Sequence, residues 1–351
     1  MKKTIKVLII DDSALVRQTL TEIISSDDQL EVIGTAADPY FAAQKIKSVI
    51  PDVITLDIEM PRMDGLTFLK SLMAQYPIPV VVISSLTQHG SQLALRAMDH
   101  GAVEVVAKAE IRNTKQHLEE SRIRITDAIK AAHQVPVKRI GLQTRQEYTA
   151  VNKPTYSDAS PIYRTTDKVI VIGASTGGTE ALRFFLRSMP ANSSGILVTQ
   201  HMPAGFTKSF AESLNKICEI TVKEAQDGER IMRGHAYIAP GGYHMEMYRS
   251  GAKYFIKIRG GELVSRHKPS VDVLFNSAAK HAGQNALGII MTGMGRDGAA
   301  GLLAMKDAGA RTIAQDEASS VVFGMPKEAI KIGAADQVVS LQDMPVKVIG
   351  F

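Results

Sequence analysis

Short uninterrupted apolar runs alternate with longer stretches whose apolar positions recur at helical spacing, and this alternation occurs twice along the chain. In the first 130 residues the runs are "KVLII" (6–10), "VIG" (32–34), "VITL" (53–56), "VVVIS" (80–84) and "VEVVA" (103–107). Between them lie "ALVRQTLTEII", "DPYFAAQKIKSV", "DGLTFLKSLMAQ" and "SQLALRAMDHG". Continuous apolar runs fit strands buried on both faces, and the amphipathic stretches fit crossover helices. Five such repeats predict a doubly wound parallel sheet.

A helical pattern over 113–132 follows, then "HQVPVKRIGLQTRQEYTAVNKPTYSDASPIYRTTD", with prolines, polar residues and no sustained period. This stretch reads as an interdomain linker. From Lys168 the alternation restarts, with strands at "KVIVIG", "GILVTQ", "AYIAP", "ALGIIM" and "RTIAQ". Helices are predicted at "TEALRFFLRSM", "VDVLFNSAAKHA" and "DGAAGLLAMKDAG", and "MEMYRSGAKYFIKIR" (245–259) reads as a β-hairpin inside this second unit. The expected organisation is a first domain over 1–132, a linker over 133–166 and a second domain over 167–351. Both domains belong to the α/β class with doubly wound parallel sheets, flavodoxin-like in the first and Rossmann-like with a hairpin in the second.

Composition narrows the class only slightly. The 351 residues are enough for two cores, and 45% hydrophobic with 22% charged residues is ordinary for a globular protein. No stretch approaches the roughly 20 apolar residues of a membrane span. The opening "MKKTIKVLIIDDS" is not read as a signal peptide, because "VLII" is short and Asp11 and Asp12 follow at once. One cysteine, Cys218, excludes an internal disulfide, fits a cytoplasmic location and reads as a core residue rather than a nucleophile. A net charge of +5 gives no argument for nucleic acid.

The first domain places acidic residues at strand ends. Asp11 and Asp12 follow the first strand and Asp57 ends the third, so a parallel sheet would gather three carboxylates at one edge. Such a concentration of charge calls for a cation, and Mg²⁺ suits oxygen ligands. One carboxylate could then attack a phosphoryl group, with Ser84 and Lys108, at later strand ends, serving its oxygens. Helix capping explains Asp12 or Asp64 singly, but not the whole set. In "IIDDS", "DIEMPRMDGL", "VVVISS" and "GAVEVVAK" this part resembles the receiver domain of two-component response regulators. The resemblance implies Asp57 as phosphoacceptor, Asp11 and Asp12 with Asp57 as Mg²⁺ holders, Ser84 as switch hydroxyl and Lys108 as phosphoryl contact. Two positions depart from that pattern: Ala109 replaces the usual proline, and Val105 replaces a bulky switch residue.

In the second domain "VIGASTGGTEAL" places Ser175 between glycines at a strand-to-helix turn. A serine hydroxyl needs a base, an orienting acid and an oxyanion site before it is a nucleophile. The helix start from Thr176 onward offers backbone N–H groups for the last of these. A phosphate-binding loop and a plain structural turn are the rivals; the first lacks the P-loop lysine. His201 in "LVTQHMPAGF" and Asp297 in "IIMTGMGRDGAAGL" also fall at carboxyl strand ends, where a parallel sheet would collect all three. Among other histidines, His244 and His267 are possible rim residues, His281 sits on a helical pattern and His235 in a turn. The order Ser–His–Asp differs from that of α/β-hydrolases.

The blocks "GASTGG", "QHMP", "APGGYHM", "KPSVDVLF", "TGMGRDGA" and "QDEASSVVFGMP" resemble the CheB family of chemotaxis methylesterases. The resemblance implies hydrolysis of glutamate 5-O-methyl esters on chemoreceptors and deamidation of receptor glutamines. It carries Ser175, His201 and Asp297 as catalytic residues, with Thr176 and Met294 lining the site, Met294 near the oxyanion. Its partners would be methyl-accepting receptors as substrate and a histidine kinase as phosphodonor, with no nucleic acid, no membrane insertion and a monomeric chain. No cofactor is expected for ester hydrolysis. Two other readings stand beside it: the same chemistry on a methylated protein outside chemotaxis, and a DNA-binding response regulator.

Overall fold

The computed structural model describes residues 4–61, 63–85, 87–108, 115–136 and 168–351. The chain divides into two compact units, Met1–Glu147 and Tyr148–Phe351. Ala109 and nearly all of the expected linker lie outside the described residues.

The first unit runs β1 (Ile5–Ile10), α1 (Ala14–Ser25), β2 (Leu30–Ala36), α2 (Pro39–Ser48), β3 (Val53–Asp57), α3 (Gly65–Gln75), β4 (Val80–Ser84), α4 (Gln88–Asp99), β5 (Glu104–Ala107) and α5 (Lys115–Gln134). Its five strands form one parallel sheet in the order β2-β1-β3-β4-β5. Strands β3 and β4 are buried along their whole length, as their largely apolar runs lead one to expect. The polar punctuation acts as expected at helix starts. Asp64 accepts from Thr67 N–H at the head of α3, and Ser13, rather than Asp12, caps α1 by accepting from Val16 N–H.

The second unit continues with β6 (Val169–Ala174), α6 (Gly178–Arg187), β7 (Gly195–Gln200), α7 (Phe206–Asn215), β8 (Thr221–Glu224), β9 (His235–Ile238), β10 (His244–Ser250), β11 (Lys253–Arg259), α8 (Val271–His281), β12 (Ala286–Ile290), α9 (Ala299–Asp307), β13 (Arg311–Gln315), α10 (Met325–Lys331), β14 (Gln337–Val339) and α11 (Met344–Val348). Seven of these strands make a parallel sheet in the order β14-β13-β12-β6-β7-β9-β8. Strands β10 and β11 pair antiparallel as a separate hairpin. Met245, Met247, Tyr254 and Ile256 of the hairpin are buried with Leu274 and Phe275 of α8 and with Val169, Val171 and Leu197 of the sheet. Glu246 and Tyr248 alternate with those methionines and are less buried, which is the period-two pattern of a sheet with one wet face.

His235 is a correction to the expected turn: it is the first residue of β9, partnered with Thr221 of β8. Among the described residues, no helix is long and apolar enough to cross a membrane.

Candidate active site and acidic cluster

The strand register decides which side chains can meet in the second unit. Strand β6 pairs with β7 through Ala174↔Gln200, and with β12 through Ile290↔Gly173. Ser175 and His201 are therefore the first residues beyond two adjacent strand ends, roughly 5 Å apart in a sheet of ordinary spacing. Asp297 follows the third of these neighbouring strands. The backbone stitches the ends further: His201 N–H donates to Ala174 O at 3.1 Å and Ser175 N–H to Thr292 O at 3.0 Å.

Asp297 is 2% exposed and its carboxylate is fully engaged. Oδ2 accepts from His201 Nε2 at 2.8 Å and from Val271 N–H at 2.7 Å. Oδ1 accepts from Ser270 Oγ at 2.8 Å and from Asp272 N–H at 3.1 Å. The carboxylate thus sits at the N-terminus of α8, where free backbone donors and the helix dipole favour a negative charge. Burial opposes ionisation, but the His201 hydrogen bond and charge and the Val271 N–H outweigh it and hold the group well below the usual carboxylate range.

An ionised carboxylate only accepts, so Nε2 of His201 carries a proton, and in the neutral ring the lone pair falls on Nδ1. That Nδ1 is buried and has no hydrogen-bond partner. The bond between Ser175 and His201 that a resting triad would show is therefore not formed at this nitrogen. Ser175 itself is buried at 7% exposure, and Gly293 leaves room for it, since a Cβ at 293 would stand 2.6 Å from Ser175 Cβ.

The other expected residues take varied places. Thr176 is buried, and its carbonyl accepts from Thr292 Oγ1 at 2.9 Å. Met294 is half-buried in the loop between β12 and Asp297. His267 stacks on His201 with ring centroids 3.6 Å apart and planes 10° from parallel, so it braces the imidazole face. His244 is fully buried and committed to structure, with Nε2 donating to Glu262 O at 2.9 Å and Nδ1 accepting from Ser270 N–H at 3.3 Å. Cys218 is half-buried, and burial pushes its thiol up to about 11, which removes it as a nucleophile at neutral pH.

In the first unit the carboxylate oxygens of Asp11, Asp12 and Asp57 lie within 4.8 Å of one another. Lys108 Nζ donates to Asp57 Oδ2 and lies 3.0 Å from Asp11 Oδ2. Burial raises the carboxyls of Asp11 and Asp57 above their usual range, and for Asp57 the Asp11 charge adds to it. Lys108 is raised as well, because its two carboxylate neighbours outweigh its own burial. Asp11 Oδ2 is buried with the Lys108 ammonium 3.0 Å away, so the cluster already draws on one positive charge to offset its carboxylates. These hard oxygen donors fit Mg²⁺. Ser84 is fully buried and donates to Gly90 O at 3.1 Å, turned to α4 rather than to Asp57. Val105 is buried on β5, opposite Val82.

Comparison with known proteins agrees with both halves. A family model described as CheB methylesterase matches residues 170–348, and one described as response regulator receiver domain matches residues 7–119. A protein-glutamate methylesterase/protein-glutamine glutaminase 3 of Geobacter metallireducens is 56% identical over 354 residues, covering 99% of each chain. A protein-glutamate methylesterase/protein-glutamine glutaminase 2 of Rhodospirillum rubrum is 55% identical, again over 99% of each. Among solved structures, the CheB methylesterase catalytic domain of Thermotoga maritima is 40% identical with a TM-score of 0.52, covering 52% of this chain and 98% of that one.

Proposed function

The chain belongs to the CheB methylesterase family and carries a response-regulator receiver domain, and from that premise we propose that it hydrolyses glutamate 5-O-methyl esters on chemoreceptors under control of Asp57 phosphorylation. Its division of labour follows the expected domains, a receiver over 1–132 and a catalytic domain over 167–351 joined by a linker over 133–166. Receptor glutamine deamidation follows from the same chemistry, because an amide and an ester pass through the same kind of tetrahedral intermediate.

In the proposed reaction Ser175 Oγ attacks the ester carbonyl while His201 Nδ1 takes its proton. Asp297 keeps the other ring proton on Nε2 and favours the imidazolium that forms. His201 then returns the proton to the departing methoxide, giving methanol and an acyl-serine. Water, deprotonated by His201, attacks the acyl carbonyl and releases glutamate and free Ser175. Thr176 N–H, at the turn before α6, is the proposed oxyanion donor, with Met294 beside it. The observation that carries the reading is the 2.8 Å His201 Nε2–Asp297 bond, which leaves a buried and unpartnered Nδ1 at the strand end next to Ser175. The phosphate-loop and structural-turn readings of "GASTGG" give no reason for that nitrogen to be left unsatisfied.

In the receiver, Asp57 is the proposed phosphoacceptor, with Asp11, Asp12 and Asp57 holding Mg²⁺ and Lys108 pairing with a phosphoryl oxygen. Bound Mg²⁺ would supply charge neutralisation between the carboxylate and the incoming phosphoryl group. Ser84 would have to leave Gly90 O to reach the phosphoryl group, which makes its rotation part of the switch. A chemotaxis histidine kinase is the proposed phosphodonor.

Methanol release from a methylated receptor fragment tests the reading. Wild-type protein is expected to release methanol, Ser175→Ala is expected to release none above background while keeping its melting temperature, and a small phosphodonor is expected to raise the wild-type rate. Near-wild-type turnover by Ser175→Ala would overturn it.

A further inference from the structure

We propose that Gln200 is a positioning residue for this hydrolysis: its buried amide clamps the main-chain carbonyls of Ser175 and His201 and so sets the orientation of the nucleophile's peptide. The proposal rests on the reading of Ser175 and His201 given above and concerns a residue outside the Ser–His–Asp set.

Gln200 is the last residue of β7, paired with Ala174, and is 1% exposed. Its Nε2 donates to Ser175 O at 2.9 Å and to His201 O at 3.3 Å. A primary amide has two hydrogens on one nitrogen, so it can serve both carbonyls at once. The opposite orientation of the amide would turn Oε1 against two carbonyl oxygens, so these carbonyls assign the orientation. Gln200 Oε1 is itself buried without a partner. A buried amide oxygen left in this way is a cost to the fold, and it is retained where the other end of the amide is needed.

The clamp reaches the chemistry through the peptide plane. A trans peptide directs its C=O and its N–H to opposite sides. Ser175 O is drawn towards Gln200 and also accepts from Gly178 N–H at 2.7 Å, so Thr176 N–H, the proposed oxyanion donor, is turned the other way. The same amide nitrogen holds the carbonyl of the residue that supplies the base. One side chain therefore fixes both the donor direction and the spacing of the two strand ends, the kind of placement on which transition-state stabilisation depends steeply. Gly178 is the complement of the device: a Cβ there would stand 2.2 Å from Gln200 Oε1. Only a glycine lets the amide lie against the start of α6.

The test is methanol release by the full-length protein, with kcat and KM resolved, for Gln200→Met and Gln200→Glu. Methionine keeps the unbranched shape and loses both donors. Gln200→Met is expected to lower kcat at least about tenfold, with KM within about twofold and a modestly lower melting temperature from the two lost hydrogen bonds. Gln200→Glu faces two carbonyls with a carboxylate, and on protonation it regains one O–H donor. Its kcat relative to wild type is therefore expected to climb as pH falls from about 8 to about 6, a trend that a packing role would not produce. Wild-type kcat in both variants, or a raised KM at constant kcat in Gln200→Met, would overturn the clamp. If Gln200→Met fails to fold, the Gln200→Glu profile decides alone, and a ratio independent of pH overturns it. Absence of methanol release from wild type would instead refute the Ser175 reading on which the clamp rests.

Discussion

His201 has its two ring nitrogens in different company, and that asymmetry is the core of the chemistry. One faces a carboxylate held ionised by a helix start; the other is buried with nothing to bond. Asp297→Asn would keep the shape but would no longer force the proton onto Nε2. It is expected to cut kcat by about 10⁴-fold, as the analogous change does in other serine triads, with KM little altered. The same residue has a stability signature. Its folded pKa lies below the unfolded value of about 3.9, so its contribution is present above that pH and fades as pH falls towards the folded value. The stability gap between wild type and Asp297→Asn, read from denaturant midpoints, should therefore shrink steadily below about pH 4. A gap that widens there would mean the carboxyl is not held ionised. Gly293 gives a steric test: Gly293→Ala places a methyl 2.6 Å from Ser175 Cβ and 2.5 Å from Met325 Sδ. Something must shift, at a cost of about 1–3 kcal/mol, and a displaced Ser175 should lower kcat more than it raises KM.

At the scale of elements, α8 is the part that makes Asp297 an orienting acid. Ser270 gives that carboxylate its hydroxyl hydrogen and passes its own N–H to His244. Ser270→Ala should leave Oδ1 with one bond fewer in a buried place, destabilising the unit by about 1–3 kcal/mol and lowering kcat severalfold, as equilibrium unfolding and methanol release would report. How much of this could be read beforehand differs by element. The largely apolar runs of β3, β4, β6 and β7 announce central strands, because burial on both faces favours apolar side chains along nearly the whole run. The edge strands β8 (TVKE) and β14 (QVV), three or four residues long and partly exposed, carry no such signal. The short helices α10 and α11, seven and five residues, span too few turns for a period to emerge. At the site, Ser175, His201 and Asp297 stand out by their place after strands. The stacking of His267 on His201 depends on the return of a distant loop, and the reach of Gln200 depends on strand register, so neither leaves a mark in the local pattern.

On the scale of the whole molecule, two units of similar architecture carry two sites with opposite electrostatics. Asp297 is an acid whose charge the fold supports; Asp11 and Asp57 are acids whose charge the fold resists. A folded pKa raised above the unfolded value means that stability is lost as pH rises through the interval between them. Asp11→Asn should therefore raise the melting temperature of the first unit at neutral pH, and added Mg²⁺ should raise that of wild type but not of the variant. Equal response of both proteins to Mg²⁺ would remove the cluster as its site. For the second unit, the question is whether Ser175 is the reactive oxygen. Peptide mapping after reaction of the full-length protein with a fluorophosphonate, which captures a serine only when a base activates it, answers this directly. The expected result is a single adduct on Ser175, formed at least about a hundredfold more slowly in His201→Ala. Methanol release continuing in protein fully adducted at Ser175, or equal labelling rates with and without His201, would contradict it.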